Sequence, residues 1–295
     1  MEGTLQEGMR CDLHVHTRHS GMCTVPLLRR ICRESYNDPD AVYEVLKRRG
    51  MDLVTVTDHD SIDAAERLRR HADFFLSEEV TCVSPSGTEL HVGVYGIDER
   101  DHVELQRRRK DVPSLAAYVR ERRLLASVNH LFSSLTGRRA ALDFQLFEEE
   151  FPAMETLNGH MPAANNQSAD RLARQWLKAP VAGSDAHTLD PLGLTFTDVP
   201  DARTIPDFLD RLRRGHGRPQ GACGNYFRLT STVLNIGSAM VRERLWPALF
   251  APLFLAVPVI TLANYAREFL FEQKWSRQMW PGGFPPVSLE EQPAE

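Results

Sequence analysis

Cysteine is too scarce and too scattered in this chain to build a scaffold. The five present, Cys11, Cys23, Cys32, Cys82 and Cys223, are odd in number and include no C-x-x-C pair. That pattern argues against both a disulfide framework and a thiolate zinc site, and makes a reducing, cytoplasmic compartment the expectation. A basic excess is also missing. Lys and Arg total 35 against 40 Asp and Glu, a net charge of -5, so the chain as a whole has no polyelectrolyte-binding signature and any basic surface must be local. The opening stretch, MEGTLQEGMRCD, has no apolar run of the signal-peptide type, so export through an N-terminal signal is not expected. Internal repeats and long low-complexity tracts are absent too. What remains is a chain of 295 residues, 42% of them hydrophobic, long enough to bury one large core with an appendage.

Up to about residue 220, short β-rich runs alternate with amphipathic helical runs, the pattern of an α/β domain with a mainly parallel sheet. Residues 11–15 and 52–57 (DLVTVT) read as strands. Between them, Pro39 to Arg49 spaces Val42, Val45 and Leu46 like a helix closed by Gly50, which completes a βαβ unit. A helix over 63–75 follows, and residues 80–83 pair with 90–95 across the Pro85-Ser86-Gly87 turn, a hairpin that would interrupt the parallel order. Ser114 after Pro113 starts the next helix. Strands follow at 124–128, 153–157 and 181–183, and a last helix, capped by Thr204, Pro206 and Asp207, runs to Arg214 before Gly215.

The tail changes character. Residues 245–263 (LWPALFAPLFLAVPVITLA) form an apolar run of 19 residues flanked by Arg242, Arg244 and Arg267, long enough for a membrane span. Pro247, Pro252 and Pro258 each remove a helical hydrogen bond, which suits a packed or interfacial segment equally well. The expected organisation is therefore a main domain over 1–228 and an apolar extension over 229–295 that is open to membrane contact.

The strand ends carry the chemistry. They hold His14 and His16, then Asp58, His59 and Asp60, then Glu79, His130, Asn158 and His160, and finally Asp185 and His187. In a parallel barrel the C-terminal strand ends converge on one face, so residues remote in sequence would meet there. His14 and His16 are two apart on a strand and point to the same side. The Asp185-Ala186-His187 pair has the same spacing after PVAGS, and imidazole mixed with carboxylate suits zinc, manganese or iron better than calcium. Either pair alone is a weak signal. His71 and His102 read as solvated, as does His216, for which a substrate contact stays open, while Cys11 and Cys82 read as packing residues.

Taken in order, HVH, TDHD, Glu-Val-Thr, NH and SDAH, spread over about residues 10 to 225, the chain resembles the polymerase and histidinol phosphatase (PHP) family of metal-dependent phosphoesterases. The resemblance implies a distorted seven-stranded β/α barrel, to which the C-terminal apolar extension is added here, and two or three divalent metal ions (zinc, manganese or iron). It implies that His14, His16, Glu79 and Asp185 hold a first ion, and that Glu79 bridges to a second one completed by His91 and His130. Glu78 and Glu89 are rivals for the bridge, with Glu79 preferred because it directly precedes the strand beginning VTC. A third ion would use His59 and His187. Family members commonly carry Asp or His just after the serine of the first motif, where this chain reads Ser20-Gly21-Met22. His19 or Cys23 could substitute, and His160 is a further candidate.

The expected reaction is hydrolysis of a phosphate ester by a hydroxide bridging two ions that also act as Lewis acids. His59 or His187, where free of an ion, could protonate the leaving oxygen. Arg18, Arg214 and Arg218 could hold the non-reacting phosphate oxygens. A small phosphorylated metabolite or nucleotide is favoured over a polymer, because no extended basic stripe is present. Three alternatives stand beside this reading: an oligonucleotide-cleaving phosphodiesterase, a metal-dependent C–N hydrolase, and a membrane-tethered non-catalytic module. The second lacks a strand-end lysine to carry the bridging carboxylate such barrels use.

Overall fold

The computed structural model describes residues 8–23, 28–136, 138–243, 252 and 254–282. A short first strand, β1 (Met9–Cys11), precedes α1 (Pro39–Arg48) and a single helical turn, α2 (Ala65–Leu68). The hairpin of β2 (Ser77–Val83) and β3 (Glu89–Tyr95) leads to α3 (Glu99–Arg108) and α4 (Val112–Arg122). Strands and helices then alternate through β4 (Leu125–Val128), α5 (Ala141–Glu150), β5 (Ala153–Asn158), α6 (Ala163–Gln175) and β6 (Ala179–Gly183). After β7 (Thr195–Val199), α7 (Ile205–Arg213) and β8 (Arg218–Gly221) come two longer helices, α8 (Tyr226–Glu243) and α9 (Val257–Met279).

Local chemistry sets the helix starts. Asp38 caps α1 through its side chain with Pro39 in the first turn, and Val42 and Leu46 turn inward. Asp98 and Asp101 close a reciprocal capping box on α3. The helix expected from Ser114 begins two residues earlier, because Asp111 accepts the Ser114 N–H and Pro113 fits the first turn. The helix expected over 63–75 shortens to α2. Its last residues leave the helix to pair with the strand-like run before it, Val54 donating to the Asp73 carbonyl and Phe75 to the Val54 carbonyl.

The ladders form two sheets, β2-β3-β4-β5-β6 and β1-β7-β8. β2, β3 and β4 pair antiparallel, whereas β4, β5 and β6 pair parallel, so the parallel order holds over only part of the sheet. These regular ladders do not close into a seven-stranded barrel. Between β6 and β2 the chain segments carrying HVH and DLVTVT are extended but joined by single parallel bridges, Val15 to Ala186 and His59 to Glu79. Side chains take the amide protons that a ladder would give to carbonyls. Val15 donates to Thr57 Oγ1 at 3.0 Å, Thr17 to Asp58 Oδ1 at 2.6 Å and Ser184 to Asp12 Oδ1 at 2.8 Å. Gly183 allows β6 to lie against this segment, since a Cβ there would sit 2.3 Å from the His14 backbone nitrogen.

One apolar cluster, with Val92, Leu115, Phe132 and Phe147 among its members, packs the hairpin sheet against α4, α5 and α6, and it includes Trp275 and Trp280 from the tail. The tail thus contributes to the main core. Of the apolar run at 245–263, residues 245–251 and 253 lie outside the described residues. The helix that follows, Phe254–Met279, is long and apolar enough to cross a membrane by length and composition. Pro258 falls in the first turn of α9, where an amide donor would be unpaired anyway. The helix buries carboxylates beside the apolar Val257 and Trp275 and leaves much of its apolar surface outside. Glu268 and Glu272 are buried, Glu268 accepting from Ser134 N and Oγ and Glu272 from Ser168 Oγ, while Leu255, Val259, Ile260, Leu262 and Leu270 are exposed.

Candidate metal centre

His14, His16, His59, Glu79, His91, His130, Asp185 and His187 come together around one cavity of about 370 Å³, although they derive from six separate stretches of chain. His14 and His16 flank Val15 on one extended segment, and their Nε2 atoms lie 3.0 Å apart. Glu79 Oε2 is 3.3 Å from His14 Nε2 and 3.5 Å from His16 Nε2, and Asp185 Oδ1 is 3.4 and 3.3 Å from the same two atoms. On the other side of Glu79, Oε1 lies 3.4 Å from His130 Nε2 and 3.7 Å from His91 Nδ1. Glu79 therefore joins the two groups. Its neighbour Glu78 faces away, as alternation on β2 requires, and is bound by His102 Nδ1 at 2.8 Å and Gln106 Nε2 at 3.0 Å. Glu89 is half-exposed and lies 3.3 Å from His91 Nε2.

The protonation of the imidazoles can be read from their partners. His14 Nδ1 donates to Glu155 Oε1 at 2.8 Å. Ser20 Oγ gives its own proton to Asp58 Oδ1 at 2.7 Å, so its oxygen accepts from His16 Nδ1 at 2.9 Å. His187 Nδ1 donates to the Asp185 carbonyl at 2.9 Å. Each ring thereby turns its remaining Nε2 into the cluster, the orientation that outer partners impose on metal-binding histidines. Two such nitrogens 3.0 Å apart, facing two carboxylates, are placed to share a cation, whether a metal ion or, without one, the extra proton of His14. Donor atoms that each sit about 2.1 Å from one ion are separated by about 3.0 Å at a right angle and about 3.4 Å at a tetrahedral angle. The spacing of this donor set fits that requirement, and Glu79 Oε2 is buried without a hydrogen-bond partner.

Electrostatics agree. Burial alone would raise the Glu79 and Asp185 carboxyls, but the surrounding imidazoles, His14 foremost, hold both well below the usual carboxylate range. Burial opposes charge on His14 and His59 as well. Even so, Glu79, Asp185 and Glu155 lift His14 well above an ordinary imidazole, and Glu79 with Glu34 lifts His59 to about 10. Burial and the neighbouring His187 push His16 down to about 3. Backbone strain gathers here too, since Asp60, His130 and Asp185 are non-glycine residues at φ of 51°, 29° and 53°, a conformation kept where surrounding structure enforces it.

Other residues singled out in the sequence lie elsewhere. Arg18 pairs with Asp38 at 3.2 Å, Arg214 pairs with Asp210 at 2.8 Å, and Arg218 sits exposed on β8 opposite Asp198, so none of the three lines the cavity. His19 and Cys23 do not line it either. His102, expected to be solvated, is held by buried Glu78, and His71 stacks on Tyr43 at 3.6 Å. His160 joins Asp185 and His187 in a further possible ligand group. Sequence reasoning missed Glu155, Asp58, Ser20, Asn129 and Glu34. Glu155 had a signal, as a lone carboxylate within the buried strand AMETLN. Asn129, which donates to Glu79 Oε1 at 2.8 Å, precedes His130 in the NH motif. Glu34 had none.

Residues 163–216, covering α6, β6 and the Asp185–His187 pair, match a family described as PHP-associated. An uncharacterized protein of Methanocaldococcus jannaschii is 35% identical over 54 residues, which is 18% of this chain and 30% of that protein. The chain thus matches under a third of that relative's length. In fold, it resembles PsfC from Pseudomonas syringae, with a TM-score of 0.58 at 17% identity over 79% of this chain and 99% of that one. It also resembles a two-domain protein of Bacteroides vulgatus containing a predicted PHP-like metal-dependent phosphoesterase, with a TM-score of 0.57 at 14% identity over 73% of this chain and 65% of that one.

Proposed function

We propose that this protein is a metal-dependent phosphoesterase of the PHP family and that it hydrolyses a small phosphate ester, a phosphorylated metabolite or nucleotide, on two or three divalent ions, a reading supported by the PHP-associated match and the PHP-like fold. The ions would be held by the set His14, His16, Glu79 and Asp185, by Glu79 with His91 and His130, and by a group around His59 and His187. The family's seven-stranded barrel is proposed in a form where the HVH and DLVTVT segments stand in for ladder strands.

One observation carries the reading: two imidazoles whose Nδ1 atoms are engaged by outer acceptors turn their Nε2 atoms on each other at 3.0 Å, beside two carboxylates. The cavity supports it further. Among the described residues its lining includes Glu34, Asp60, Glu79, Glu89 and Asp185 but no arginine or lysine, so a phosphate would be repelled unless cations occupied the donor sets. When bound, such ions supply Lewis acidity and a hydroxide at neutral pH.

The chain's own groups do the rest. Glu155 and the Asp58–Ser20 pair hold the two HVH imidazoles in the ligating tautomer. His59 and His187, at the cavity wall, are placed to hand a proton to a leaving oxygen if no ion engages them. Ser133 and Thr136 offer hydroxyls at the rim. A volume near 370 Å³ suits a small substrate better than a polymer. The C–N hydrolase reading is weaker, because the described residues of the lining include no lysine.

The test is metal analysis of protein purified with manganese or zinc, followed by a screen over mononucleotides, sugar phosphates and short oligonucleotides. Turnover of small monoesters is expected. Fewer than about one ion per chain, or cleavage confined to long oligonucleotides with a steep salt dependence, would overturn the proposal.

A further inference from the structure

Two acidic residues occur in α9, Glu268 and Glu272, and both face the protein. Glu268 Oε1 accepts from Ser134 Oγ and Glu272 Oε1 from Ser168 Oγ, each at 2.6 Å. On the same side Thr261 Oγ1 meets Thr230 of α8 at 2.7 Å, and Trp275 enters the main core. The outward side has another character. Val259, Leu262, Ala266 and Leu270 recur at steps of three and four and so form one stripe, with Leu255 ahead of it and Ile260 and Phe269 at its edges. All seven are exposed, Val259 by 69% and Leu270 by 63%. The charged residues that reach solvent from α9 are Arg267, Lys274 and Arg277, and no described carboxylate pairs with them. In a chain of net charge -5, an exposed face that joins an apolar stripe to three cations, without an anion, is a local exception.

That combination selects its occupant. A surface that is apolar within and anionic at its boundary complements it, which is the make-up of a lipid leaflet carrying acidic headgroups. A second copy of this chain complements it less well, because a self-matching contact would bring the same face and no carboxylate of α9 to the three cations. Crossing a bilayer is disfavoured as well. It would carry Glu268 and Glu272 into hydrocarbon and strip them of the serine donors that satisfy them.

We propose that α9 docks this protein on an anionic lipid surface as a peripheral element. Val259, Leu262 and Leu270 enter the headgroup boundary, Arg267, Lys274 and Arg277 meet lipid phosphates, and the opposite side of the helix stays on the protein.

The experiment is flotation of the full chain with vesicles of phosphatidylcholine and phosphatidylglycerol in equal parts, and with phosphatidylcholine alone. Binding to the anionic vesicles is expected to be at least about tenfold stronger and to weaken as salt rises from about 0.1 to 1 M. Lys274→Gln with Arg277→Gln should weaken it about 25-fold, roughly fivefold for each cation. Val259→Asp with Leu262→Asp should abolish it. Melting temperatures of both double variants should match the wild type, since the altered side chains are exposed. Absence of binding to anionic vesicles, equal binding to both kinds, or indifference to the aspartate substitutions overturns the proposal. So does light scattering that finds a dimer which those substitutions dissociate, because the face is then an interface between copies. Retention of the cellular protein in membranes washed with alkaline carbonate overturns the peripheral mode in favour of a span.

Discussion

Glu155→Gln isolates the contribution of an outer carboxylate to the metal centre. Glu155 Oε1 accepts from His14 Nδ1 at 2.8 Å, while Oε2 accepts from His130 N at 2.8 Å and Asn158 Nδ2 at 2.9 Å. Glutamine keeps the shape but turns one oxygen into an NH₂. If the amide faces His14, the imidazole must shift its proton to Nε2, which removes the lone pair aimed at Glu79 and Asp185. If it faces the other way, two donors confront the backbone N–H of His130. Either way a charge-assisted bond is lost beside the ion, and ion affinity should fall about 10- to 100-fold, equivalent to about 1.4 to 2.7 kcal/mol. Competition with a fluorescent chelator measures this directly, and circular dichroism checks the fold. A folded variant with unchanged manganese affinity would refute the claim that Glu155 sets the tautomer of His14.

Asp185→Asn and Glu79→Gln each remove a charge from the proposed ion pair, so turnover of the best monoester should fall by at least about 1,000-fold with far-ultraviolet circular dichroism unchanged; full activity in Asp185→Asn would sink the ligand assignment. His14 and His59 are both raised above an ordinary imidazole, so the metal-free protein holds protons there at neutral pH that an ion must displace. Apparent affinity should then weaken as pH falls from 8 to 6, by about tenfold per unit for each displaced proton, and calorimetry showing a pH-independent constant would contradict this. By the same linkage, stability that the protonated pair gives the metal-free protein is complete below pH about 6.5 and is lost as pH rises through the folded value, about 10 for His59. Trp275→Ala on α9 empties a site that is 4% exposed within the main core, and should cost about 3 kcal/mol, seen as a fall on the order of 10 °C in melting temperature.

The residues legible in the sequence were those whose position is fixed by strand periodicity. His14 and His16 could be paired on paper because alternation puts both on one side. Glu79, preferred for its place just before VTC, lies within β2 instead, and it faces the cavity because alternation turns its neighbour Glu78 the other way, toward His102 and Gln106. The hairpin of β2 and β3 followed from its turn residues. Contacts made by irregular chain were not legible. Glu34 arrives by a fold-back that no periodicity marks, and α2 stops early because residues 73–75 bond to Val54. The barrel was over-idealised for a related reason, since Asp12, Thr57 and Asp58 intercept the amide protons that regular strands would share. The arginines illustrate the converse: charge marks surface, and Arg18 and Arg214 found nearby aspartates before they could reach the cavity.

Glu268 gives α9 a mechanical consequence. Both of its carboxylate oxygens grip Ser134, with N–H and hydroxyl donors at 2.6 to 3.1 Å, and the neighbouring residues Ser133, Leu135 and Thr136 form one wall of the cavity. That wall hangs from a helix whose opposite side presents Val259, Ile260, Leu262 and Leu270 to the surroundings. Glu268 and Ser134 thus fasten the helix and this stretch of the cavity wall into one piece, so that α9 cannot be lifted away without breaking the bonds that hold the rim.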